Sequence, residues 1–226
     1  FAMKFVVRLH AEITIKSRSV RKRYGKVLTN NLRKILAPVD DSIYVKWLWD
    51  RIEVSADGDD SQVRSEIKEI LQNTPGISWF AEVIERSLTD FDAIAELVGE
   101  HWLKRLPGKS FAMRVKRKGN HEFNSQQLER YVGGYLLERV PDTSVNLSNP
   151  DLDIALQITN QIVHLVGERV NGLGGFPIPT QETVLSLLSG GFDSGVATYD
   201  FIRRGARTHF CFFNLGGDAH EVAARP

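Results

Sequence analysis

Cysteine is almost absent from this sequence of 226 residues, in which Cys211 is the single thiol. One thiol excludes a disulfide scaffold and any zinc site with several cysteine ligands within the chain. Apolar residues never form a run of about 18, the length that crosses a bilayer, and no charged-then-apolar leader precedes Met3. These absences predict a cytoplasmic protein without a membrane partner.

Acidic residues are scarce in two places, although the net charge of the chain is only +1. Residues 1–36 carry ten Lys or Arg and one acid, and residues 109–121 carry five Lys or Arg and no acid. Separated basic blocks in a nearly neutral chain favour a polyanion partner, because phosphate contacts dominate nucleic-acid affinity. A merely solvated helix face is the alternative for either block alone. Together the blocks predict nucleic-acid binding.

Residues 4–84 follow the order β-α-β-β-α-β of a ferredoxin-like unit. Lys4–Ile15 is predicted as a strand, and Ser17 or Ser19 caps the helix that follows. A tight hairpin turns at Trp49-Asp50, and a second helix starts at Ser61. The remaining strand extends over residues 77–84. Large aromatic side chains here and in the next unit are predicted to be core: Tyr24, Trp47, Trp49 and Trp102.

A second α+β unit is predicted after this one. Its first helix is capped near Thr89 or Asp90, and Ser110–Lys116 forms a strand whose basic and apolar residues face opposite sides. Ser125 caps the next helix, and residues 153–158 and 162–167 form a hairpin. The basic strand and the loop after it are therefore expected at the surface.

The last part of the chain reads as the beginning of a different domain. Residues 171–180 are a Gly/Pro-rich connector, and an apolar strand over 184–188, a helix over 194–204 and an apolar strand over 208–213 follow. This order is the opening βαβ of a parallel, doubly wound sheet. Since only about 40 residues of such a domain are present, we expect the chain to be a fragment.

The stretch SGGFDSG, residues 189–195, separates this strand from its helix. Its glycines let backbone N–H groups approach an anion, and the helix N-terminus adds its positive end, so a phosphate is the expected ligand. Asp193 would repel phosphate and is expected to hold Mg²⁺ or to orient the turn. The lysine of a Walker loop and the glycine spacing of a hydrolase elbow are missing. A structural turn capped by Ser or Asp is the alternative.

The pattern SGG-x-DS after an apolar strand resembles the PP-loop of the ATP pyrophosphatases. With the stretches KFVVRLHAEITIKS, RVKRKGNHEF, ERYVGG and GGFPIPTQETVLSLLSGGFDSG, the chain resembles the bacterial tRNA 4-thiouridine synthetases, or tRNA sulfurtransferases, over residues 3–222. The resemblance implies an α+β fold: an N-terminal ferredoxin-like domain (1–78), a THUMP RNA-binding domain (79–170), a linker (171–182) and the truncated start of an α/β doubly wound PP-loop domain (183–226). The family boundary of the THUMP domain could lie near Ser61.

The resemblance also implies a chemistry. ATP converts a uracil carbonyl oxygen into an AMP ester, and persulfide sulfur supplied by a cysteine desulfurase then displaces AMP; the family also transfers sulfur for thiamine thiazole synthesis. Asp193 and Ser194 are the implied catalytic residues, with Mg²⁺ near Asp193. The implied ATP site comprises Leu187, Leu188, Ser189, Gly190, Gly191, Phe192, Asp193, Ser194, Phe212 and Phe213. Plain core packing is the alternative for Leu187, Leu188, Phe212 and Phe213.

Two further expectations concern the bases that contact tRNA and the catalytic activity of this chain. The bases expected to follow tRNA phosphates are Arg18, Arg21, Lys22, Lys26, Arg114, Lys116, Arg117 and Lys118. Cys211 lies in an apolar strand and is expected to be inert, and the family's catalytic cysteines are absent, so this fragment is not expected to turn over. Dimerisation and a rhodanese tail stay open. The alternative functions are a THUMP-type RNA-binding module and another PP-loop synthetase or amidotransferase.

Overall fold

The computed structural model describes residues 3–189 and 191–214. The chain forms two compact units, one made of residues 1–80 and 169–226 and the other of residues 81–168. Phe1, Ala2, Gly190 and the residues from 215 onward lie outside the described part. Each unit has its own cluster of buried apolar side chains, as expected for separately packed domains.

The first unit begins with a four-stranded sheet and helices on one face. Its elements are β1 (Met3–Leu9), α1 (Ala11–Thr14), α2 (Arg18–Leu36), β2 (Tyr44–Leu48), β3 (Arg51–Ala56), α3 (Ser61–Gln72) and β4 (Ile77–Ser87). The strand order is β2-β3-β1-β4, and β1 runs antiparallel to β3. The alternating burial of β1 and β3 turns one sheet face toward α2 and α3, which close the core. The predicted ferredoxin-like unit is confirmed.

The first strand is shorter than Lys4–Ile15, and that prediction is wrong after Leu9. Residues 11–14 form the short helix α1, in which Ile13 is fully buried. Ile15, the residue after the helix, is 83% exposed. A helical turn lets Ile13 reach the core that β1 already faces, whereas a continued strand would place Ile13 and Ile15 on the same side. The predicted hairpin at Trp49-Asp50 is confirmed, with Leu48 paired to Arg51 across the turn.

The second unit packs two helices against a sheet. After the last residues of β4 come α4 (Phe91–Trp102), a 3₁₀ turn (Leu103–Arg105), β5 (Ser110–Lys118), α5 (Ser125–Arg139), β6 (Ser144–Val145), β7 (Leu152–Thr159) and β8 (Ile162–Val166). The strand order is β4-β8-β7-β5-β6, and β5 runs parallel to β7. The cap of α5 is Asn124, not the predicted Ser125, because Asn124 and Gln127 form a reciprocal capping box.

The remaining elements belong to the first unit. Strand β9 (Val170–Asn171) pairs with Trp79 and Phe80 of β4. Strand β10 (Val184–Leu188), helix α6 (Phe192–Arg203) and strand β11 (Thr208–Phe212) follow, and β10 and β11 pair in parallel as predicted. Between β9 and β10 the connector makes a close backbone approach at Gly175, where φ is +70° and an added Cβ would lie 1.9 Å from the Arg203 carbonyl oxygen. Only glycine fits there.

Candidate nucleotide and RNA sites

The turn after β10 joins a parallel strand to a helix, at the carboxyl edge where open α/β sheets bind ligands. Gly191 is the N-cap of α6 and has an extended backbone, with φ −91° and ψ 157°, and no side chain caps this end of the helix. The first N–H groups of α6 are therefore available to an anion. Gly190, predicted to be part of this site, lies outside the described residues.

The two serines of the turn shape it by bonding to each other and to its backbone. The Ser194 hydroxyl donates to the Gly191 carbonyl oxygen at 2.8 Å, and its oxygen accepts from the Ser189 N–H at 3.4 Å. The Gly191 N–H donates to the Ser189 oxygen at 3.4 Å. Since the Ser194 proton is already used, Ser194 organises the turn, and a phosphate would be bound mainly by backbone N–H groups.

The other predicted residues of the nucleotide site surround this turn. Asp193 is exposed in the first turn of α6. Among the described residues, no three or more Asp, Glu, His or Cys side chains lie close enough together to hold a metal ion. Leu187, Phe192 and Phe213 are 59%, 95% and 63% exposed, whereas Leu188 and Phe212 are half-buried. The described part of the chain therefore covers these apolar side chains only in part.

The bases of β5 are divided between the two faces of its sheet. Arg114, Lys116 and Lys118 are exposed on the face opposite the buried Phe111, Met113 and Val115, which confirms the predicted alternation. Arg117 points to the helix side, where its Nε donates to the Ser125 hydroxyl at 3.4 Å and its guanidinium lies 5.3 Å from the ring centre of Phe123. The four bases thus do not form one patch.

The bases of α2 also differ in their surroundings. Arg18, Lys22 and Lys26 are exposed, whereas Arg21 is half-buried against Trp49. Trp49 itself is 45% exposed, so its assignment to the core is wrong: it occupies the hairpin turn, where Arg18 and Arg21 of α2 lie against its ring. Tyr24 and Trp102 are buried as predicted, at 5% and 3% exposure.

Two cavities in the second unit were not predicted. One, of about 510 Å³, lies beside the loop after β5 and is lined by Asn120, His121, Phe123 and Gln161 among others. The other, of about 420 Å³, lies between α5 and the edge of the sheet, where Gly133 and Gly134 leave open space above Met113 and Leu147. The paired glycines of YVGGYL were the sequence signal for this second cavity.

Three protein families match successive parts of the chain. The ThiI ferredoxin-like domain matches residues 4–81, the THUMP domain residues 89–166, and the family described as thiamine biosynthesis protein (ThiI) residues 179–225. Relatives named tRNA sulfurtransferase align over 223 residues, at 50% identity in Tolumonas auensis and 48% in Colwellia psychrerythraea. Each alignment covers 99% of this chain and 46% of the relative, so the chain spans about half the length of the curated relatives it matches.

Solved structures show the same fold. A 4-thiouridine synthetase in complex with RNA and bound ATP has a TM-score of 0.73 at 22% identity, over 96% of this chain and 54% of that one. A protein from Pyrococcus horikoshii Ot3 has a TM-score of 0.69 at 20% identity, over 98% of this chain and 73% of that one. No helix in the described residues is long and apolar enough to cross a membrane.

Fold and site together define a class of protein: a ferredoxin-like unit and a THUMP domain, followed by a strand-turn-helix of PP-loop type. Within that class the three successive matches are specific. Along its length the chain is similar in turn to the ThiI ferredoxin-like domain, the THUMP domain and the ThiI family, and it aligns with part of the proteins named tRNA sulfurtransferase.

Proposed function

We propose that the chain is the RNA-binding and nucleotide-binding N-terminal part of an ATP-dependent tRNA sulfurtransferase that makes 4-thiouridine. The observation that carries the proposal is the combination, in one chain, of a THUMP domain with exposed bases on β5 and an uncapped helix N-terminus after a diglycine turn. The relatives and the RNA- and ATP-bound fold neighbour support this combination of ligands.

In the proposed reaction the turn at residues 189–194 binds the triphosphate. ATP supplies the AMP group that makes the uracil oxygen a leaving group. The α6 N–H groups favour negative charge on the departing pyrophosphate, because the dipoles are already oriented before the reaction. In the proposal Asp193 would hold Mg²⁺ together with phosphate oxygens, because this ion usually binds to one or two protein carboxylates and to the phosphates of its nucleotide.

The sulfur-transfer half of the reaction lies outside this chain in the proposal. Cys211 is half-buried on β11, and we assign it no role in catalysis. The catalytic cysteines belong to further sequence of the intact protein, which would take persulfide sulfur from a cysteine desulfurase and would also serve thiamine thiazole synthesis. The chain alone is therefore expected to bind tRNA without thiolating it, in a cytoplasmic setting. Whether the intact protein is a homodimer does not affect this assignment.

The test is Asp193→Asn in the intact protein, assayed for pyrophosphate release and for 4-thiouridine in tRNA. Loss of a metal-binding carboxylate in the nucleotide site should lower both rates by about 10²-fold or more while tRNA affinity stays unchanged. Asp200→Asn is the matched control, because Asp200 is exposed later on the same helix. Full thiolation by Asp193→Asn would contradict the site. Normal ATP chemistry without any tRNA requirement would favour another PP-loop synthetase.

A further inference from the structure

Two tryptophan rings and four arginine side chains of the first unit contact one another in series. We call this series the guanidinium–tryptophan strip, and it consists of Arg18, Arg21, Trp49, Asp50, Arg8, Trp79 and Arg169. Its members come from the start of α2, the β2–β3 turn, β1, β4 and the residue before β9. Residues far apart in sequence are thus joined by an unbroken series of contacts.

At one end of the strip, Trp49 is held by two guanidiniums. The Cζ atoms of Arg18 and Arg21 lie 5.5 and 4.9 Å from its ring centre, and Arg21 Nη2 also donates to the Trp49 carbonyl oxygen at 3.1 Å. The indole is nevertheless 45% exposed. Turn, ring and guanidiniums therefore hold one another in place, while part of Trp49 stays open to solvent.

At the other end, Trp79 is flanked in the same way. The Cζ atoms of Arg169 and Arg8 lie 4.5 and 5.9 Å from its ring centre. Asp50 links the two ends, because Arg8 Nη1 donates to its carboxylate at 2.9 Å and to its carbonyl oxygen at 3.0 Å. Trp79 is half-buried, and Arg169 is exposed.

The strip is strongly basic, because its four arginines face a single carboxylate. Partial burial would raise the pKa of Asp50, but the charges of Arg51 and Arg8 and the hydrogen bonds it accepts hold that pKa below its usual value. Asp50 is therefore ionised at neutral pH and orders Arg8, which still lies against Trp79. The strip keeps an excess of positive charge next to exposed ring surface.

We propose that the guanidinium–tryptophan strip binds unpaired nucleotides of an RNA, with bases stacking on its indole and guanidinium planes and phosphates near its charges. Taking RNA as the polyanion rests on the proposed function. Paired RNA is recognised by shape and backbone, whereas splayed bases stack on aromatic rings and on arginine planes. Scattered lysines would contact the phosphates of a duplex equally well. Planar Trp and Arg side chains, in contrast, offer surfaces on which unpaired bases can stack.

The experiment measures binding of the 226-residue chain to a short unstructured oligouridylate and to a blunt-ended RNA hairpin. Arg18→Lys and Arg169→Lys keep the charge but remove the planar face, so a stacking site loses affinity and a purely electrostatic one does not. We expect the double variant to bind the oligouridylate about tenfold more weakly, and the hairpin within about twofold of wild type, from the usual size of base stacking. The salt dependence of both affinities should stay unchanged.

Trp49→Leu should reproduce this selective loss, and Trp49→Phe, which keeps a ring, should restore most of the affinity. Arg23→Lys is the matched control, because Arg23 lies over Tyr24, a buried ring that offers no exposed platform. Equal losses for both RNAs, or no loss for either, would overturn the strip as a site for unpaired nucleotides. The proposed function would survive that result, since thiolation by the intact protein and hairpin binding test it separately.

Discussion

Arg114 and Lys116 lie two residues apart on the same face of β5, yet their charges are not equally available. Arg114 Nε lies 3.2 Å from the Asp153 carboxylate, and its Nη2 donates to the Leu147 carbonyl oxygen at 2.5 Å. Lys116 is exposed, and the described residues place no acid within ion-pair distance of it. A phosphate would have to compete with Asp153 for Arg114 but not for Lys116, so Lys116 should contribute more to RNA affinity.

The corresponding prediction compares Lys116→Ala with Arg114→Ala in the 226-residue chain. Loss of one phosphate contact should lower the salt slope of log affinity by about 0.7–0.9 for Lys116→Ala, and by clearly less for Arg114→Ala. Binding of tRNA at several salt concentrations measures both slopes. Identical slopes for the two variants would show that the Arg114–Asp153 pair opens at no cost when RNA binds.

The side chains of β5 and Trp49 show which placements can be predicted from the sequence and which cannot. The period of two in β5 was enough to predict which side Arg114 and Lys116 face, and by the same rule Arg117 belongs on the other side. Trp49 was assigned to the core from its residue type, although its position in a two-residue turn already favoured exposure. Its contacts with Arg18 and Arg21 span about 30 positions of the chain and leave no local pattern, so no periodicity could reveal them.

At the scale of elements, the packing of α2 on the sheet depends on the absence of one side chain. Gly25 lies in the buried stripe of α2, and a Cβ built there would lie 2.4 Å from the Trp47 ring. Gly133 in α5 is the opposite case, because an added Cβ there meets nothing within 4 Å. Gly25 is therefore required by close packing against Trp47, whereas packing does not require a glycine at position 133.

Alanine at each position should change stability in opposite directions. Gly25→Ala should destabilise the first unit by about 1–3 kcal/mol, because overpacking against Trp47 exceeds the gain in helix propensity. Gly133→Ala should stabilise the second unit by up to about 1 kcal/mol. Amide hydrogen exchange along α2 and α5 measures the two effects separately. A stabilised Gly25→Ala variant would mean that Trp47 can move aside.

The elements that sequence predicted well were those with a sustained apolar period, such as α2, α3 and β5. The strands β6 and β9 were missed because two residues carry no period. The end of β1 was misplaced because the apolar run continues through Ile13 and Ile15, and only the tertiary position of the core decides between strand and turn. The turn between β10 and α6 was predictable because its glycines and hydroxyls are local to the loop.

At the scale of the molecule, the connector before β10 does more than link domains. The Phe176 ring lies 5.8 Å from the Tyr24 ring and 6.5 Å from that of His10, and its N–H donates to the Arg203 carbonyl oxygen at 3.0 Å. Gln181 Nε2 adds a bond to the Tyr24 hydroxyl at 3.2 Å. The segment that carries the turn between β10 and α6 is thereby attached to the ferredoxin-like core within the first unit.

Phe176→Ala should loosen that attachment. Removing this aromatic ring should destabilise the docking of the β10–α6–β11 segment by about 2 kcal/mol, less than the roughly 3–5 kcal/mol of a core Phe→Ala change, because Phe176 is only half-buried. Amide exchange in β10, α6 and β11 should then accelerate, while α5 in the second unit exchanges at its wild-type rate. Phe176→Leu, which keeps most of the apolar contact, should lie between the two. Unaltered exchange in α6 would show that the backbone bonds alone hold the segment.

The chain leaves the first unit after Phe80 and returns at Arg169, and Phe80 pairs with Val170 across β4 and β9. The residues that flank the stretch 81–168 are thus hydrogen-bonded to each other within the first unit. A tight loop that joins Phe80 to Val170 in place of residues 81–168 should therefore leave the first unit able to fold, because the pairing of β4 with β9 lies within that unit.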